Sequence, residues 1–347
     1  MQELSLIQKH TRDIYDLVNK IYNIETVNAR TLLTGKRFDL FAKIYYIAHY
    51  KENTDHALRV YVEHIKAFNP DGKEPGRDDK LSIEDFVNDF NDLISNLRDN
   101  DFDKSISIIP VDSNGVILDG AHRVAVLAYY NKEITIAKFK NVTAKANFDY
   151  QYFKKRGLSW LTMDEVALEM LNWLPNVHVM CIWPNMNENQ KGLIRSTLEN
   201  EQTVVYRKQL KVSFKALSKF VKQIYKDQEW TKSTEAVNDK ALRCYGKGHI
   251  LELIFFVFQN DLDHLITYKE RLRSNFNKSK DSLHITDNAK ETKNIGELTL
   301  NKTNLAQWNK VELNPIKKIE DSFNEKIYYF KNITFINLKI KIAKLLR

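Results

Sequence analysis

The chain has 347 residues, of which 43% are hydrophobic and 28% are charged, and it carries a formal net charge of +8. This length and composition predict a globular protein with room for two domains, and they argue against a disordered chain. Its two cysteines, Cys181 and Cys244, predict neither a disulfide framework nor a zinc site. No apolar run approaches the ~18 residues of a membrane span, and the first residues lack the apolar stretch of a secretory signal. We therefore expect a cytoplasmic protein whose positive charge favours anionic partners.

Residues 1–100 are predicted to be mostly helical. Apolar residues recur at helical spacing in three segments, at 4–21, 38–45 and 57–65. Ser82 precedes Asp85 in a capping-box pattern that begins a further helix. A strand is predicted at 134–139, and the composition changes near 141–150. We take this change as a domain boundary, so the first predicted domain covers 1–145.

The second predicted domain covers 150–310. Its apolar runs predict strands at 177–183, 203–206 and 251–258. Helical patterns alternate with these strands, at 163–174, 214–225 and 262–276. This alternation predicts an α/β domain. The tail, 315–347, is basic and amphipathic towards its end. It is compatible with peripheral contact to the inner, anionic face of a membrane, and also with an ordinary helix docked on the protein.

Residues 107–127 combine a predicted hairpin with the start of a helix. Two short apolar runs flank the turn signal at 112–115, and the second run ends at Asp119 and Gly120. A helical apolar pattern opens at once with Ala121. A strand that turns through Asp-Gly into a helix places free backbone N–H groups and the positive end of the helix dipole at one point. The sequence therefore predicts an anion site, suited to phosphate, at this corner.

The five residues Asp119-Gly120-Ala121-His122-Arg123, after the predicted hairpin and before an Ala-rich helix, resemble the ParB/sulfiredoxin superfamily over residues 106–139. Its members include partition proteins, nuclease-like domains, sulfiredoxins and free-serine kinases. The resemblance implies a ParB/sulfiredoxin-like domain that binds nucleotide phosphates at this corner. Ala121 stands where sulfiredoxins carry their reactive cysteine, and the Asp-Gly-x-His-Arg form is closer to the small-molecule kinases. Alternatively, Asp119 only caps the helix and His122 and Arg123 are a solvated first turn.

From this resemblance we expect a phosphotransferase that uses ATP or CTP with Mg²⁺. Asp119 would hold Mg²⁺ or act as base, Gly120 and Ala121 would allow close approach of the phosphates, and His122 with Arg123 would neutralise transferring charge. The acceptor would be a small hydroxyl compound or a glycan, namely a sugar of a surface polysaccharide. Two alternatives are a nucleotide-gated, ParB-like DNA-binding protein and a non-catalytic partner in an envelope assembly.

Related kinases take an acid from an upstream helix as general base. Asp39 and Glu63 are candidates for that role, and Arg37 and Asp39 are candidates to fold over the Asp-Gly corner. The sequence does not choose between the two acids.

A second polar cluster is predicted between 269 and 291. Lys269 and Arg273 share one face of a predicted helix, as is useful for binding phosphate, so both are candidate cofactor-binding residues. A short strand at 282–285 brings His284 and Asp287 to a strand-to-helix corner, a candidate acid/base or metal site. Alternatively, Asp287 or Asn288 only caps the next helix, with Glu291 completing a capping box.

Overall fold

A computed structural model describes residues 3–74, 80–276 and 279–309. The described chain is mixed α/β with two small sheets, and it divides into two compact units at Glu169/Met170. This division falls after the composition change at 141–150. The reason is that hydrogen bonds join Glu63 of the first unit to Ser159 and Thr162, which keeps residues up to Glu169 in that unit. The predicted tail at 315–347 lies outside the described residues.

The first unit places helices against a three-stranded sheet. Its α-helices are α1 (Lys9–Tyr15), α2 (Phe38–His49), α3 (Thr54–Phe68), α4 (Ile83–Asp99), α5 (Ala121–Tyr129), α6 (Tyr150–Lys155) and α7 (Trp160–Met170), the last ending at the division. The strands are β1 (Tyr22–Asn28), β2 (Ile109–Val111) and β3 (Glu133–Phe139), in the order β1-β3-β2. The central strand β3 is antiparallel to β1 and parallel to β2.

The predicted helices α2, α3 and α4 are confirmed. At the start of α4, the backbone N–H of Asp85 donates to Ser82 Oγ at 3.3 Å, and the N–H of Ser82 donates to Asp85 Oδ2 at 2.9 Å. These reciprocal bonds form the predicted capping box. The apolar faces of the three helices are buried, with Phe41, Tyr61 and Phe90 among the least exposed side chains.

The helical pattern predicted at 4–21 forms only in part, and the strand at 22–28 was not predicted. The helix α1 stops at Asp16, which adopts a left-handed φ of 48°, and the chain then enters β1. Strand β1 pairs with β3 along its whole length, from Tyr22↔Phe139 to Asn28↔Glu133. Pairing between segments so distant in sequence leaves little local signal.

The predicted hairpin at 107–118 is reduced to a tight turn. The backbone N–H of Asp112 donates to Val116 O at 2.9 Å, but the second arm forms only one bridge, Val111↔Ile117. The first arm is β2, which pairs in parallel with β3 instead. The two elements that follow the turn, α5 and β3, are confirmed.

The second unit is a four-stranded sheet with helices. Its strands are β4 (Val177–Ile182), β5 (Thr203–Lys211), β6 (Ile250–Val257) and β7 (Leu283–Ile285), in the order β5-β6-β4-β7. Its helices are α8 (Glu188–Glu201), α9 (Phe214–Ile224), α10 (Thr234–Tyr245), α11 (Leu262–Ser274), α12 (Ala289–Leu300) and α13 (Lys302–Trp308). Each strand pairing is antiparallel. The predicted strands and the helices α9 and α11 are confirmed, whereas α8 and α10 were not predicted.

The core of the second unit lies on both sides of β4 and β6. The carboxylate of Glu252, in β6, is fully buried and lies 3.0 Å from Arg195 and 2.9 Å from Arg207. Two cations compensate the cost of burying this charge within an apolar strand. None of the helices in the described part of the chain is long and apolar enough to cross a membrane.

Candidate functional site

The Asp-Gly corner begins α5. Gly120 is the N-cap residue, with a left-handed φ of 81° that favours glycine. A Cβ at this position would lie 2.3 Å from Ile109 Cδ1, so a larger residue does not fit. The side chain of Asp119 does not cap α5, because its Oδ1 accepts only from the adjacent N–H of Gly120, at 2.6 Å. The capping alternative for Asp119 is therefore wrong.

One carboxylate oxygen of Asp119 is unpartnered. This atom, Oδ2, is buried and has no hydrogen-bond partner among the described residues. The nearest cationic atom is Nη2 of Arg123, at 3.9 Å, beyond hydrogen-bonding distance. A buried carboxylate oxygen without a donor is costly in free energy. The corner thus presents a negative oxygen beside a guanidinium group.

His122 is held by aromatic packing and one hydrogen bond. Its Nε2 lies 2.9 Å from the hydroxyl of Tyr61, and its ring meets that of Phe90 edge-on, with 4.7 Å between centroids. Burial lowers the pKa of His122 well below 6.5, and nearby Lys43 and Lys80 lower that pKa further. The imidazole is therefore neutral at neutral pH. The role of His122 in neutralising transferring charge stays a prediction.

A buried cluster of charges lies at the start of α2. The carboxylate of Asp39 receives two hydrogen bonds of 2.8 Å from Arg37 and one of 3.1 Å from Lys43. Burial opposes ionisation, but the two cations hold the pKa of Asp39 well below its usual range. Asp39 therefore stays ionised and is a poor proton acceptor. With two cations and one anion, the cluster has an excess of one positive charge.

His64, on α3, is the least satisfied polar side chain near this cluster. It is fully buried, and neither ring nitrogen has a hydrogen-bond partner among the described residues. Its ring packs on Phe153 at 5.2 Å between centroids. Burial, followed by the charge of Lys43, lowers the pKa of His64 well below 6.5. A neutral imidazole with both nitrogens unused is able to donate one hydrogen bond and to accept another.

These groups line one cavity of the first unit, which we call the corner cavity, with a volume of about 960 Å³. Its walls include the predicted residues Asp119, Gly120, Ala121, His122 and Arg123, and also Arg37, Asp39, Lys43, His64 and Lys80. The structure thus brings the Asp-Gly corner and the charge cluster of α2 together. The side chain of Lys80 lies 2.9 Å from Glu74 and 3.4 Å from Asp89, so two carboxylates of the cavity wall compensate its charge.

Glu63 does not line the corner cavity. Its carboxylate lies 3.2 Å from Arg59 and accepts hydrogen bonds from Ser159 and Thr162. Of the two acids considered as general base, only Asp39 reaches the cavity. Because Asp39 is locked between cations, neither acid is suited to accept a proton.

Three groups in or beside the corner cavity escape sequence reasoning. Lys43 follows Asp39 by four residues, a spacing that makes an ion pair on a helix. His64 stands on the apolar face of α3, and a polar residue on such a face is a detectable signal. The contact of Tyr61 with His122 joins α3 to α5, and nothing in the local sequence indicates it.

The candidate residues at 269–291 belong to the second unit. Lys269 donates a hydrogen bond to Asp287, and the guanidinium of Arg273 donates to Leu283 O at 3.2 and 3.3 Å. The ring of His284 lies 3.2 Å from the hydroxyl of Tyr225 through Nδ1. Its Nε2 lies 2.8 Å from a carboxylate oxygen of Glu291.

The start of α12 settles how that helix is capped. Asn288 accepts a hydrogen bond from the N–H of Glu291 at 2.9 Å, so Asn288 is the N-cap. The carboxylate of Glu291 accepts from the N–H of Asp287 at 2.7 Å. Asn288 is thus the predicted cap, but Glu291 does not complete a capping box because it bonds to the N–H of Asp287 and not to that of Asn288, and Asp287 itself pairs with Lys269.

Within residues 3–74, 80–276 and 279–309, no three His, Cys, Asp or Glu side chains converge in a manner that would hold a metal ion. The candidate ligands His284 and Asp287 point to different partners, Glu291 and Lys269. No protein-family model matches this sequence, and no curated protein or solved structure is detectably similar to it.

Proposed function

We propose that the chain is a nucleotide-dependent phosphotransferase whose reaction takes place in the corner cavity. The observation that carries this proposal is the buried, unpartnered Oδ2 of Asp119 beside Arg123, at the start of α5 and on the wall of a large cavity. Carboxylate oxygens are ligands of Mg²⁺, and nucleoside triphosphates bring Mg²⁺ with them. Asp119 would hold that ion, which neutralises phosphate charge when it is bound.

The start of α5 supports phosphate binding. The first N–H groups of a helix lack partners within the helix and lie at the positive end of its dipole. Gly120 adopts the left-handed φ of 81° with which the chain turns into this helix start. Arg123 adds a permanent cation one turn into the helix. Residues 106–139 are, on this proposal, a ParB/sulfiredoxin-like nucleotide site, and the order β2, turn, α5, β3 supports it.

His122 is the group we propose to orient the acceptor hydroxyl group. The hydroxyl of Tyr61 donates to Phe86 O, at 3.3 Å, and on this proposal it accepts a bond from Nε2 of His122 at the same time. That tautomer leaves Nδ1 as an acceptor for the hydroxyl group of the substrate. Because burial and nearby cations hold the pKa of His122 well below 6.5, the ring positions this hydroxyl group and does not keep its proton.

The cluster of Arg37, Asp39 and Lys43 on the cavity wall supplies further positive charge. Arg37 and Lys43 are held rigidly by Asp39, and together they leave one positive charge in excess. Rigid cations at the transferring phosphoryl group stabilise the charge that develops there. The volume of about 960 Å³ is at the upper end of the range for small-ligand sites, roughly 300–1,000 Å³. It leaves room for ATP or CTP and a small acceptor, which we propose to be a hydroxyl compound or sugar.

The test is nucleotide turnover with Mg²⁺, measured against a panel of small hydroxyl compounds and sugars. Asp119→Ala and His122→Ala are each expected to lower turnover by roughly 100-fold or more. Asp101→Ala is the matched control, because the side chain of Asp101 is 99% exposed. Turnover that is unchanged in both cavity variants would exclude the proposal. DNA that binds the wild-type chain with a steep dependence on salt would favour a DNA-binding protein instead.

A further inference from the structure

We propose that a second cavity, in the second unit, binds a small phosphorylated molecule that carries a ring. This site is distinct from the proposed phosphotransfer site, and it rests on separate residues. The cavity, which we call the α11–α12 cavity, has a volume of about 710 Å³. Its walls come from the end of α9 and the segment after it, from α11, from the end of β7 and from the start of α12.

The lining of the α11–α12 cavity is strongly positive. It contains six lysine and arginine side chains against three carboxylates, namely Lys226, Lys240, Lys269, Arg273, Lys280 and Lys290 against Asp227, Asp287 and Glu291. A concave surface lined by one sign of charge concentrates the field and attracts ions of the other sign. The expected ligand is therefore an anion.

Two of these cations are built into the wall. The side chains of Lys269 and Arg273 are more than nine-tenths buried, one turn apart on α11. Lys269 pairs with Asp287, a half-exposed side chain, and Arg273 donates to Leu283 O and pairs with the exposed Glu270 at 2.8 Å. Burying a cation costs free energy even when it is paired, and packing on an apolar face does not require a charge. Their positions are fixed before any ligand arrives, which limits the entropy lost on binding.

Three further cations lie at the mouth of the cavity. Lys226, Lys280 and Lys290 are exposed, and none of them forms an ion pair with a described residue. Lys240, in contrast, is bound to Asp281 at 2.6 Å. Flexible lysines without a local counter-ion are able to close on a phosphate group as point charges.

Aromatic side chains mark where the rest of the ligand lies. Trp230 and Tyr225 line the same cavity, with 5.4 Å between their ring centroids, and Trp230 is partly exposed. A partly exposed indole beside a phosphate-binding wall suits a sugar or a base, which packs on its face. The volume of about 710 Å³ matches a small-molecule site of roughly 300–1,000 Å³. We therefore assign a sugar phosphate or nucleoside monophosphate to this cavity, not a polymer.

The test is calorimetric titration of the full chain with glucose 1-phosphate, with AMP and with inorganic pyrophosphate. It uses the Arg123→Ala background, so that binding at the corner cavity does not contribute. Either glucose 1-phosphate or AMP is expected to bind at one site per chain, more tightly than pyrophosphate. The tighter of the two shows whether the cavity prefers a sugar ring or a base. Binding is expected to weaken as salt is raised. Failure of both ring-bearing phosphates to bind would overturn the proposal, whatever the outcome at the corner cavity.

Variants then locate the ligand. Lys226→Gln with Lys290→Gln removes two exposed cations without disturbing the core, and it is expected to weaken binding at least tenfold. Lys269→Gln removes a buried cation of the cavity wall and is also expected to weaken binding at least tenfold. Arg271→Gln is the matched control on the same helix, because Arg271 is exposed and pairs with Glu201 outside the cavity. Equal affinity in the double variant and the control would exclude this cavity as the site.

Discussion

The hydroxyl of Tyr61 lies 2.9 Å from Nε2 of His122 and 3.3 Å from the carbonyl oxygen of Phe86. This relationship joins the middle of α3 to the first turn of α5, and it fixes the orientation of the histidine ring. Burial raises the pKa of Tyr61 well above 10, so the hydroxyl keeps its proton. The pair therefore holds His122 in place at the wall of the corner cavity.

Tyr61→Phe is expected to destabilise the protein by about 1–3 kcal/mol, since it leaves a buried ring nitrogen of His122 without a partner. The free energy of unfolding in urea measures this effect. A double-mutant cycle with His122→Phe isolates the pair, and a coupling energy of about 1 kcal/mol is expected. Additive effects of the two substitutions would show that the contact does not stabilise the fold.

Gly120→Ala is expected to be more damaging than Gly115→Ala. Both glycines have a positive φ, 81° and 82°, so either alanine pays about 1–2 kcal/mol for a left-handed conformation. At Gly120 the added methyl group also meets Ile109 at 2.3 Å, whereas at Gly115 nothing lies within 4 Å. Thermal unfolding of the two variants compares them directly. Equal losses of stability would mean that the approach of Ile109 to the corner is not close.

Replacement of Asp39 tests the buried charge cluster. Asp39→Ala leaves Arg37 and Lys43 buried without a counter-ion, and a loss of about 3–5 kcal/mol is expected from urea unfolding. Glu229→Ala breaks an exposed pair with Lys232 and serves as the control, for which little change is expected.

The pH dependence of the same variant has a definite sign. The pKa of Asp39 is lower in the folded protein than in the unfolded chain. Its contribution to stability is therefore present above the unfolded pKa, about 3.9, and is lost as the pH falls towards the folded value. The difference between the wild type and Asp39→Ala is expected to shrink as the pH is lowered from 5 towards 3. A difference that grows over this range would contradict the assignment.

His64→Phe tests the cost of the unsatisfied imidazole. Because both nitrogens of His64 lack partners, an apolar ring is expected to stabilise the protein without ligand by about 1 kcal/mol. The folded pKa of His64 lies below the unfolded value. Below about pH 6.5, only the unfolded chain takes up a proton on this histidine. The free energy of unfolding therefore falls by about 1.4 kcal/mol for each unit by which the pH is lowered. The phenylalanine variant is expected to have the shallower slope between pH 6.5 and 5, and an equal slope would refute the prediction.

The sequence predicts the elements whose signals are local. In α2, α3 and α4 many apolar residues recur at helical spacing, and α4 also has its own capping box. The helix α8 was missed because it buries only Lys191, Ile194 and Leu198, too few side chains to mark a face. Strand β1 was missed because its partner β3 is distant in sequence.

The same distinction applies to the candidate site. The Asp119–Arg123 corner is continuous in sequence, so an Asp-Gly turn before a helix is enough to find it. Its surroundings come from α2 and α3, and only tertiary packing places Lys43, His64 and Tyr61 beside it. The low pKa of His122 also depends on that packing, because burial and the charges of Lys43 and Lys80 lower it.

The most direct test of the central claim is isothermal titration of the purified protein with ATP, CTP and GTP in the presence of Mg²⁺, alongside Arg123→Ala. We predict that ATP or CTP binds with micromolar affinity and that binding is lost in the variant, because Arg123 and the start of α5 receive the phosphates. The free energy of unfolding of the variant is measured in parallel to show that it is folded. Binding that persists unchanged in Arg123→Ala, or no binding by the wild type, would contradict the account.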